Sequence, residues 1–328
     1  MSVKILVLVA AFNGERYIGE QLDSILGQRF SGPWKDAGME PQIHIRVSDD
    51  CSADRTAAVV EGYVRQYPGR VSLCRRREPS GGAAAHFLSL LAEASTASEK
   101  PDYVMLSDQD DVWLPDKTQK LLEKMKELES RLESGTPVLV HSDLLVTDEK
   151  LRIIAPSFFA YQKVSPERTA LPQLLVQNNV TGGAAMINRP FLELLKTPPE
   201  ICLMHDAWIA LLASCFGRIG WVDEPLYYYR QHGTNTLGAE KGDNAAEAVG
   251  RLKDGSKARE NYIRMFGQAR CLLELFEDRL DGRQRQVLEA FVRLPRQNRL
   301  MKMAEILRWG FTKNSWLRTL GQMFMIGD

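Results

Sequence analysis

The first 130 residues alternate between two kinds of hydrophobic pattern. Continuous apolar runs, such as VKILVLVAAF at 3–12, are followed by segments whose apolar residues recur every three or four positions, as at 17–26. Continuous runs are typical of strands covered on both faces, and the three-to-four spacing is typical of amphipathic helices. Four such strands, each followed by a helix, predict an α/β fold with a doubly wound parallel sheet and right-handed crossovers.

In such a sheet, ligands bind beyond the carboxyl ends of the strands. Three of these ends carry polar residues: FNGE after the first strand, SDDCSADRT after the second and SDQDD after the fourth. We therefore expect these three segments to line one binding site.

Composition narrows the class of protein. The chain has 328 residues, 44% of them hydrophobic, and a formal net charge of zero. Neutrality argues against a nucleic-acid partner, because such proteins carry a basic excess. Five cysteines without metal-binding spacing predict reduced thiols of a cytosolic protein, with Cys74 and Cys202 as small core residues. The first apolar run is short for a signal peptide and is followed at once by polar NGER, which favours a buried strand.

Two carboxylates, Asp108 and Asp110, directly follow the fourth strand. They would repel each other unless a cation lay between them, and Mg²⁺ or Mn²⁺ commonly bridges carboxylates to substrate phosphates. A solvated turn is the alternative, since aspartate is common in turns. The second acidic strand end, at Asp49 and Asp50, favours the metal site. Asp49 is placed to accept a hydrogen bond from the ring N–H of a pyrimidine base, whereas Asp54 caps the next helix.

Two residues of the second half are candidates for chemistry. Asp206, at the start of the helical segment HDAWIALLASCFG, is a candidate general base, although a carboxylate there is also an ordinary N-cap that complements the helix dipole. His232 follows an aromatic strand, and it is either a structural histidine or a contact for a diphosphate or metal. The neighbouring paired-glycine loop and the segment YRQHGTN favour a pocket.

Taken in order, these segments resemble the family-2 glycosyltransferases of the GT-A fold. The segments that carry the resemblance are VAAFNGERYIGEQLDSILGQ, VSDDCSADRT, MLSDQDDVWLPDK, VTGGAAMINR, HDAWIALLA and YYYRQHGTN. The similar branch includes bacterial rhamnosyltransferases of O-antigen and cell-wall polysaccharide assembly. The resemblance implies a Rossmann-like, mostly parallel central sheet flanked by helices. It also implies a catalytic domain at 1–238, with a nucleotide-binding half at 1–115 and an acceptor half at 116–238, followed by a linker and helical region at 239–328.

The resemblance also implies a role for each candidate residue. Asp206 is the general base, and Gly182 and Gly183 let the backbone approach the sugar or acceptor. Asp108, Asp110 and His232 are implied ligands of Mg²⁺ or Mn²⁺. The implied nucleotide-sugar site contains Ala10, Phe12, Asn13, Glu15, Asp49, Asp50, Asp108, Gly182, Gly183 and His232.

The implied activity is inverting transfer of a sugar, rhamnose from dTDP-rhamnose, to a growing cell-surface polysaccharide or a lipid-linked acceptor. Two positions depart from the family's pattern: Cys51 stands where a glycine is usual, and His205 where the base motif has a glutamate. The absence of a Q-x-x-R-W motif favours addition of one or a few sugars. Two alternatives are a nucleotide-sugar pyrophosphorylase, which would need a glycine-rich, basic N-terminal loop, and a non-catalytic nucleotide-sugar-binding scaffold.

The C-terminal region combines positive charge with apolar residues. Residues 293–318 hold seven basic residues and one acidic residue, Glu305, with Leu, Met and Trp interleaved. A basic amphipathic stretch suits an anionic membrane surface, and predicts a cytoplasmic protein that is peripheral on the inner face of the membrane. A helical hairpin packed on the catalytic domain, or on a partner in a homodimer, is the alternative.

Overall fold

The computed structural model describes residues 3–32, 34, 41–233 and 255–326. Within these residues the chain forms one sheet of nine strands with flanking helices, which confirms the predicted α/β class. The linker is predicted to begin at residue 239, and its part from 239 to 254 lies outside the described residues. The strands are β1 (Lys4–Ala11), β2 (Gln42–Asp49), β3 (Val71–Arg75), β4 (Tyr103–Ser107), β5 (Val112–Trp113), β6 (Val138–Thr147), β7 (Ile153–Ala155), β8 (Met186–Asn188) and β9 (Arg218–Arg230).

Helices alternate with β1 to β4 as the hydrophobic pattern predicted. Each long helix buries one face, and in the first helix Ile18, Leu22 and Ile25 are fully buried. Short 3₁₀ turns lie at Gly182–Ala184 and Leu294–Arg296. The helices are α1 (Ile18–Leu26), α2 (Thr56–Gln66), α3 (Ala83–Thr96), α4 (Lys117–Glu129), α5 (Phe158–Gln162), α6 (Leu171–Leu174), α7 (Arg189–Leu192), α8 (His205–Phe216), α9 (Gly255–Leu275), α10 (Gly282–Arg293), α11 (Arg299–Trp309) and α12 (Trp316–Met325).

The strand order is β3-β2-β1-β4-β8-β6-β9-β5, with β7 paired to β6. Strands β3, β2, β1 and β4 run parallel to one another, and the register pairs Ala11 with Asp49 and Val9 with Ser107. The carboxyl ends of β1, β2 and β4 therefore lie within two residues of one another at the same edge. This is the convergence that the topology predicted.

Beyond β4 the sheet is mixed. Strand β8 runs antiparallel to both β4 and β6, and β5 runs antiparallel to β9, whereas β6 and β9 are parallel. An antiparallel extension of a doubly wound half is common in large sheets. It brings the residues that follow β9 back to the chain that follows β4, because β5 pairs with the last part of β9.

The chain divides into two compact units. The first comprises Met1–Phe158, Thr181–Pro198 and Gly217–Ala239 and contains the whole sheet. The second comprises Phe159–Val180, Pro199–Phe216 and Glu240–Asp328. The halves predicted at 1–115 and 116–238 were defined by function, and they do not coincide with these two compact units. Their functional roles stay a prediction.

The second unit is helical, which confirms the predicted C-terminal helical extension. Phe291 is fully buried between the rings of Phe266 and Phe311, whose centroids lie 4.9 and 5.1 Å from its own. The Asp281 side chain caps α10 in a capping box with Gln284. No helix in the described part of the chain is both long enough and apolar enough to cross a membrane.

The cysteines are distributed differently from the prediction. All five are free thiols, and Cys215 and Cys271 are buried. Cys74 is exposed and Cys202 only half-buried, so the prediction that both are core residues was wrong. Cys74 lies on β3, which is the last strand at one edge of the sheet, where side chains lack a neighbouring strand to cover them.

Candidate functional site

Asn13 joins the loop after β1 to the loop after β2. Its backbone N–H donates to Ser52 Oγ (2.9 Å), and its side-chain Oδ1 accepts from the backbone N–H of Ala53 (2.9 Å). The residue has φ +48°, a left-handed conformation that asparagine tolerates better than most residues. Asn13 therefore shapes the edge of the predicted nucleotide site by holding two loops together.

Glu15 continues the same connection. Its backbone N–H donates to Asp54 Oδ2 (3.0 Å), and its Oε2 accepts from the backbone N–H of Arg55 (2.8 Å). Asp54 in turn accepts from the backbone N–H of Thr56, the first residue of α2, at 2.9 Å. Burial alone would raise the pKa of Asp54, but hydrogen bonds from Thr56 and Glu15 outweigh it and lower the pKa. The carboxylates of Glu15 and Asp54 thus accept hydrogen bonds from backbone N–H groups at the start of α2.

A side-chain amide clamps the backbone after β1. Gln109 Nε2 donates to the Phe12 carbonyl (2.9 Å), and the Phe12 N–H donates to Gln109 Oε1 (2.9 Å). A Cβ on Gly14 would lie 2.1 Å from Gln109 Oε1, so this close approach requires glycine. The Phe12 side chain is 55% exposed, and Ala10 is half-buried within β1. The clamp leaves the Phe12 ring at the open edge of the sheet.

Two carboxylates at the end of β2 have different surroundings. Asp49 is buried, and its Oδ2 accepts from the backbone N–H of Ser52 (3.3 Å), while its Oδ1 is buried without a hydrogen-bond partner among the described residues. Asp50 accepts from Ser80 through both the backbone N–H (2.8 Å) and Oγ (2.6 Å), and Arg76 Nε lies 3.5 Å away. Asp50 therefore supports the loop after β3, and Asp49 retains an acceptor for a ligand.

Cys51 adopts a backbone conformation typical of glycine, the residue that is usual at this position in the family's pattern. It has φ +62°, in the left-handed region that favours glycine, and its Sγ lies 3.4 Å from the Arg76 carbonyl. This departure from the family's pattern therefore changes the side chain in the turn while the turn retains a glycine-type conformation.

The residues after β4 and β9 meet. His232 Nε2 lies 2.8 Å from Asp110 Oδ2, and their side chains are only 9% and 17% exposed. Asp108 Oδ2 lies 3.1 Å from the point at which a Cβ on Gly183 would stand. The structure thus joins Asp110 directly to His232, and brings Asp108 against the paired glycines.

The chemistry of this pair fits a divalent cation. Carboxylate oxygens such as those of Asp110 suit Mg²⁺ and Mn²⁺, whereas imidazole is the more usual ligand of other first-row metals such as Fe and Zn. Within the described residues, no group of three or more His, Cys, Asp or Glu side chains could hold a metal ion. Asp110 and His232 would therefore hold the ion with most of its coordination positions left to phosphate oxygens and water, as is usual for Mg²⁺ at nucleotide sites.

Asp111 follows Asp110 and is the most buried of the three acids after β4. It is 1% exposed, its Oδ1 accepts from the Arg230 N–H (3.1 Å), and its Oδ2 has no hydrogen-bond partner in the described part of the chain. Burial raises the pKa of Asp111 well above its ordinary value, and the charges of Asp110 and Asp108 raise it further. Like charges are therefore crowded at this edge, as the sequence indicated.

A buried lysine faces these carboxylates. Lys117, at the start of α4, is fully buried, and its ammonium lies 3.7 Å from the Trp113 ring centroid and 4.2 Å from that of Tyr227. Its Nζ donates to the Gly183 carbonyl at 2.5 Å. Burial lowers the pKa of Lys117 well below its ordinary value, against the opposing charges of Asp111 and Asp108. Lys117 therefore ties α4 to the glycine turn and partly balances the acids.

The paired glycines begin the turn before β8, and both are buried. A Cβ on Gly183 would meet Asp108 Oδ2 at 3.1 Å and the Tyr227 hydroxyl at 3.3 Å. These distances are tighter than ordinary van der Waals contact, so a side chain at Gly183 would displace Asp108. The role that the resemblance implies for the paired glycines, a close approach of the backbone to the sugar or acceptor, stays a prediction.

Arg230, the last residue of β9, links three segments around Asp110. Its Nε donates to the Asp110 carbonyl (2.8 Å), one terminal nitrogen to the Glu149 carbonyl (2.6 Å), and the other to Glu20 Oε2 (2.5 Å). Only 4% of the Arg230 side chain is exposed, whereas its partner Glu20 is 57% exposed, so this charge-assisted pair is shielded on the arginine side only. The hydrogen bonds of Arg230 hold the acidic loop against α1.

Tyr17 holds the ring of His232. The two rings stack at 5.0 Å with an angle of 27°, and the Tyr17 hydroxyl donates to Glu149 Oε1 (2.7 Å). Burial and the Glu149 carboxylate raise the pKa of Tyr17. Stacking on one side and Asp110 on the other determine the orientation of the His232 imidazole.

Asp206 belongs to the second unit. It lies in the first turn of α8, where the helix dipole stabilises a carboxylate, and its Oδ1 accepts from Asn178 Nδ2 (3.0 Å). Asn178 is itself fixed by hydrogen bonds with both the N–H and the carbonyl of Val180. The adjacent His205 is buried, and burial lowers its pKa to about 3. A neutral imidazole thus stands beside the single carboxylate of this motif.

Except for Asp206, the predicted site residues all lie in the first unit. Sequence reasoning missed several residues that hold them in position. Some lie inside the quoted motifs DQDDVWLPDK and YYYRQHGTN, but nothing in those letters shows that a charged side chain is buried. The missed residues are Tyr17, Gln109, Asp111, Lys117, Asn178 and Arg230.

Comparison with known proteins identifies the class. The family model described as glycosyl transferase family 2 matches residues 6–195, more than half of this chain. The chain therefore belongs to glycosyl transferase family 2, and it is a glycosyltransferase. The dTDP-rhamnosyl transferase RfbG of Shigella flexneri is 26% identical over 233 residues, which cover 70% of this chain and 74% of that protein.

Solved structures support the fold. S. aureus TarS 1–349 in complex with UDP-GlcNAc aligns with a TM-score of 0.57 and 16% identity, covering 94% of this chain and 80% of that chain. The mannosyltransferase PcManGT of Pyrobaculum calidifontis, in complex with GDP-Man and Mn²⁺, aligns with a TM-score of 0.53 and 15% identity, covering 94% and 76%. The chain has the GT-A fold that the sequence resemblance implied.

Proposed function

We propose that this glycosyltransferase is inverting and metal-dependent. The proposed donor is dTDP-rhamnose, and the proposed acceptor is a growing cell-surface polysaccharide or a lipid-linked saccharide. The similarity to a dTDP-rhamnosyl transferase supports the donor. The transferase is favoured over a pyrophosphorylase because the loop after β1 contains one basic residue, Arg16, and lacks a glycine-rich run for a triphosphate.

The observation that carries the proposal is the pair formed by Asp110 and His232 at the carboxyl edge of the sheet. Asp110 and His232 would hold Mg²⁺ or Mn²⁺, and Asp108 would contact the ion or the ribose. Such an ion, when bound, neutralises the charge that builds up on a departing diphosphate. Arg230 and Tyr17 keep the pair in position through contacts that are largely shielded from water.

The nucleotide would lie across the ends of β1 and β2. The buried Oδ1 of Asp49 is an acceptor for the ring N–H of thymine or uracil, and leaving it unpaired would cost about 1–3 kcal/mol. The exposed ring of Phe12 offers a face on which the base can stack. Asp50 keeps the adjoining loop in place through Ser80.

In the transfer step, Asp206 takes the proton from an acceptor hydroxyl as that oxygen attacks the anomeric carbon from the face opposite the diphosphate. A single carboxylate within hydrogen-bond reach is sufficient for this role. The hydrogen bond from Asn178 orients that carboxylate. Attack from the opposite face inverts the anomeric configuration.

In this proposal, residues 1–115 bind the nucleotide and residues 116–238 bind the acceptor. A linker begins at residue 239, and the helices that follow it bring the enzyme to its acceptor. The proposed location is the inner face of the cytoplasmic membrane, where lipid-linked saccharides are presented, with the protein as monomer or homodimer. The net charge of zero gives no basis for a nucleic-acid partner.

The test combines ligand binding with product analysis. Thermal unfolding of the full chain should shift upward with dTDP and Mn²⁺ together, and less with GDP, following RT ln(1 + [L]/Kd). The variant Asp110→Ala should lose the Mn²⁺-dependent part of this shift. Turnover of a panel of nucleotide sugars, with NMR of the product's anomeric configuration, completes the test. Retained anomeric configuration, or full activity in excess chelator, would contradict the proposal.

A further inference from the structure

We propose that the exposed faces of α11 and α12 form a surface that binds an anionic phospholipid bilayer. We call it the C-terminal apolar surface. It consists of Leu300, Leu307, Trp316, Leu317, Leu320 and Phe324.

Helical spacing puts these side chains on one face of each helix. Leu300 and Leu307 are seven residues apart on α11, whereas Trp316, Leu320 and Phe324 follow one another at intervals of four on α12. They are 47–79% exposed, the largest fraction belonging to Leu300. Large apolar side chains that are contiguous and exposed mark an interaction surface, whereas isolated ones need no explanation.

The opposite faces of the two helices are already used for packing. Ile306 of α11 is fully buried, Met323 of α12 is 4% exposed, and Phe311 between the helices is fully buried. The guanidinium of Arg299, at the start of α11, lies 4.4 Å from the ring centroid of Phe324, near the end of α12. The buried side chains thus hold the hairpin together from within, and the contact between exposed Arg299 and Phe324 joins the two helices on the outside. The apolar surface is the remaining face.

The positive charge around the C-terminal apolar surface indicates an anionic partner. Arg293, Arg296, Arg299 and Arg308 are all exposed along this region. Glu305, the single acidic residue between 293 and 318, is engaged by Arg308 (3.5 Å) and by the Trp309 N–H. Arginines beside exposed leucines and tryptophan match a bilayer with anionic headgroups, which attracts basic residues and accepts apolar ones.

The helices would lie in the plane of the membrane. They contain 11 and 10 residues, and a span needs about 20. Tryptophan at such a surface suits the headgroup level, because its ring is amphipathic. The proposal rests on the proposed function in one respect, the lipid-linked acceptor, and it is testable without any activity measurement.

The experiment is flotation of the purified full chain with lipid vesicles. Vesicles of phosphatidylcholine alone are compared with vesicles that contain phosphatidylglycerol, at low and high salt. We expect binding to the anionic vesicles at least about tenfold stronger than to the neutral ones, and weakened by salt, because charge contributes to it. The variant Leu317→Ser/Leu320→Ser should lose at least about tenfold in binding, and Arg296→Gln/Arg308→Gln should lose the preference for anionic lipid.

A matched control is Ile153→Ser/Ile154→Ser, which removes two apolar side chains of β7 that are 57% and 52% exposed. This control should bind vesicles as the unaltered chain does. Sedimentation velocity tests a second copy of the chain as the occupant. Absence of vesicle binding, or binding that survives Leu317→Ser/Leu320→Ser, overturns the proposal, as does a dimer that these substitutions dissociate. Nucleotide-induced thermal shifts of the same variants report separately on the proposed function.

Discussion

Asp206 is the residue on which the proposed chemistry depends most directly. Its Oδ1 accepts a hydrogen bond from Asn178 Nδ2, and its neighbour His205 is buried, with its pKa lowered to about 3. No second carboxylate stands beside it in the motif, since the position taken by His205 would be glutamate in the family's pattern. A single substitution therefore tests the base.

We predict that Asp206→Asn lowers kcat by about 10²–10⁴, the usual contribution of a general base, because the amide cannot take the acceptor proton. Donor affinity should change little, since the donor site is proposed at other residues. Steady-state kinetics with saturating donor measures the effect, and thermal unfolding checks the fold. Asp223→Asn, at an exposed carboxylate of β9, is the control and should leave kcat unchanged. Nearly full turnover in Asp206→Asn would remove the assigned role.

The start of α4 and the turn before β8 act together through one buried ammonium group. Lys117 Nζ donates to the Gly183 carbonyl, and Gly183 approaches Asp108 so closely that a Cβ would lie 3.1 Å from its carboxylate oxygen. The position of Asp108 relative to the glycine turn thus depends on contacts among α4, this turn and the end of β4. A shift of any of these elements would move the Asp108 carboxylate.

We predict that Lys117→Met lowers the free energy of unfolding by about 3 kcal/mol, because it removes the donor to a buried carbonyl and the buried amine that faces Asp108 and Asp111. Urea unfolding measures the loss. In the double variant Lys117→Met/Asp111→Asn, the two effects should be non-additive by about 0.5–3 kcal/mol.

Lys120→Met is the matched control on the same helix, since Lys120 pairs with Asp116 and Glu224 at the surface. Exposed pairs contribute about 0–1 kcal/mol, so this variant should lose little. A cost for Lys117→Met as small as that of Lys120→Met would show that the buried ammonium does not hold the turn.

In the molecule as a whole, three histidines are buried among the described residues: His86 of α3 and His141 of β6 in the first unit, and His205 of α8 in the second. His141 and His205 are at most 5% exposed, and burial lowers their pKa values from about 6.5 to about 4 and about 3. Burial also lowers the pKa of His86. His141 and His205 remain neutral in the folded chain at pH values at which the unfolded chain binds protons. Acid therefore favours unfolding of both units.

We predict that the contribution of the buried histidines to the free energy of unfolding is fully present above pH 6.5 and is lost as the pH decreases from 6.5 toward 4. The folded-state pKa values are depressed, so the unfolded chain takes up more protons in this window. His141 alone should account for about 3.5 kcal/mol at most, at about 1.4 kcal/mol per pKa unit. Urea unfolding at several pH values measures the slope. His141→Asn should flatten it, whereas His44→Asn, at a partly exposed histidine of β2, should not.

The strand and helix pattern of the first 130 residues was predictable because it depends on local periodicity. A buried parallel strand requires a continuous apolar run, and the crossover rule then brings the ends of β1, β2 and β4 together. The sequence therefore predicts that the acids after those strands lie at one edge of the sheet. Asp49, Asp50, Asp108 and Asp110 all lie there.

The contacts that complete the site are nonlocal, and no local pattern encodes them. From the sequence, Lys117 is an ordinary exposed helix residue and Arg230 the polar end of a strand. In the structure, the rings of Trp113 and Tyr227 surround Lys117 and bury it. Each of the two residues is held by partners that are far away in the sequence, as Arg230 is with Glu20. Periodicity determines which face of a strand or helix is covered, whereas the packing of distant segments determines which charges meet beneath it.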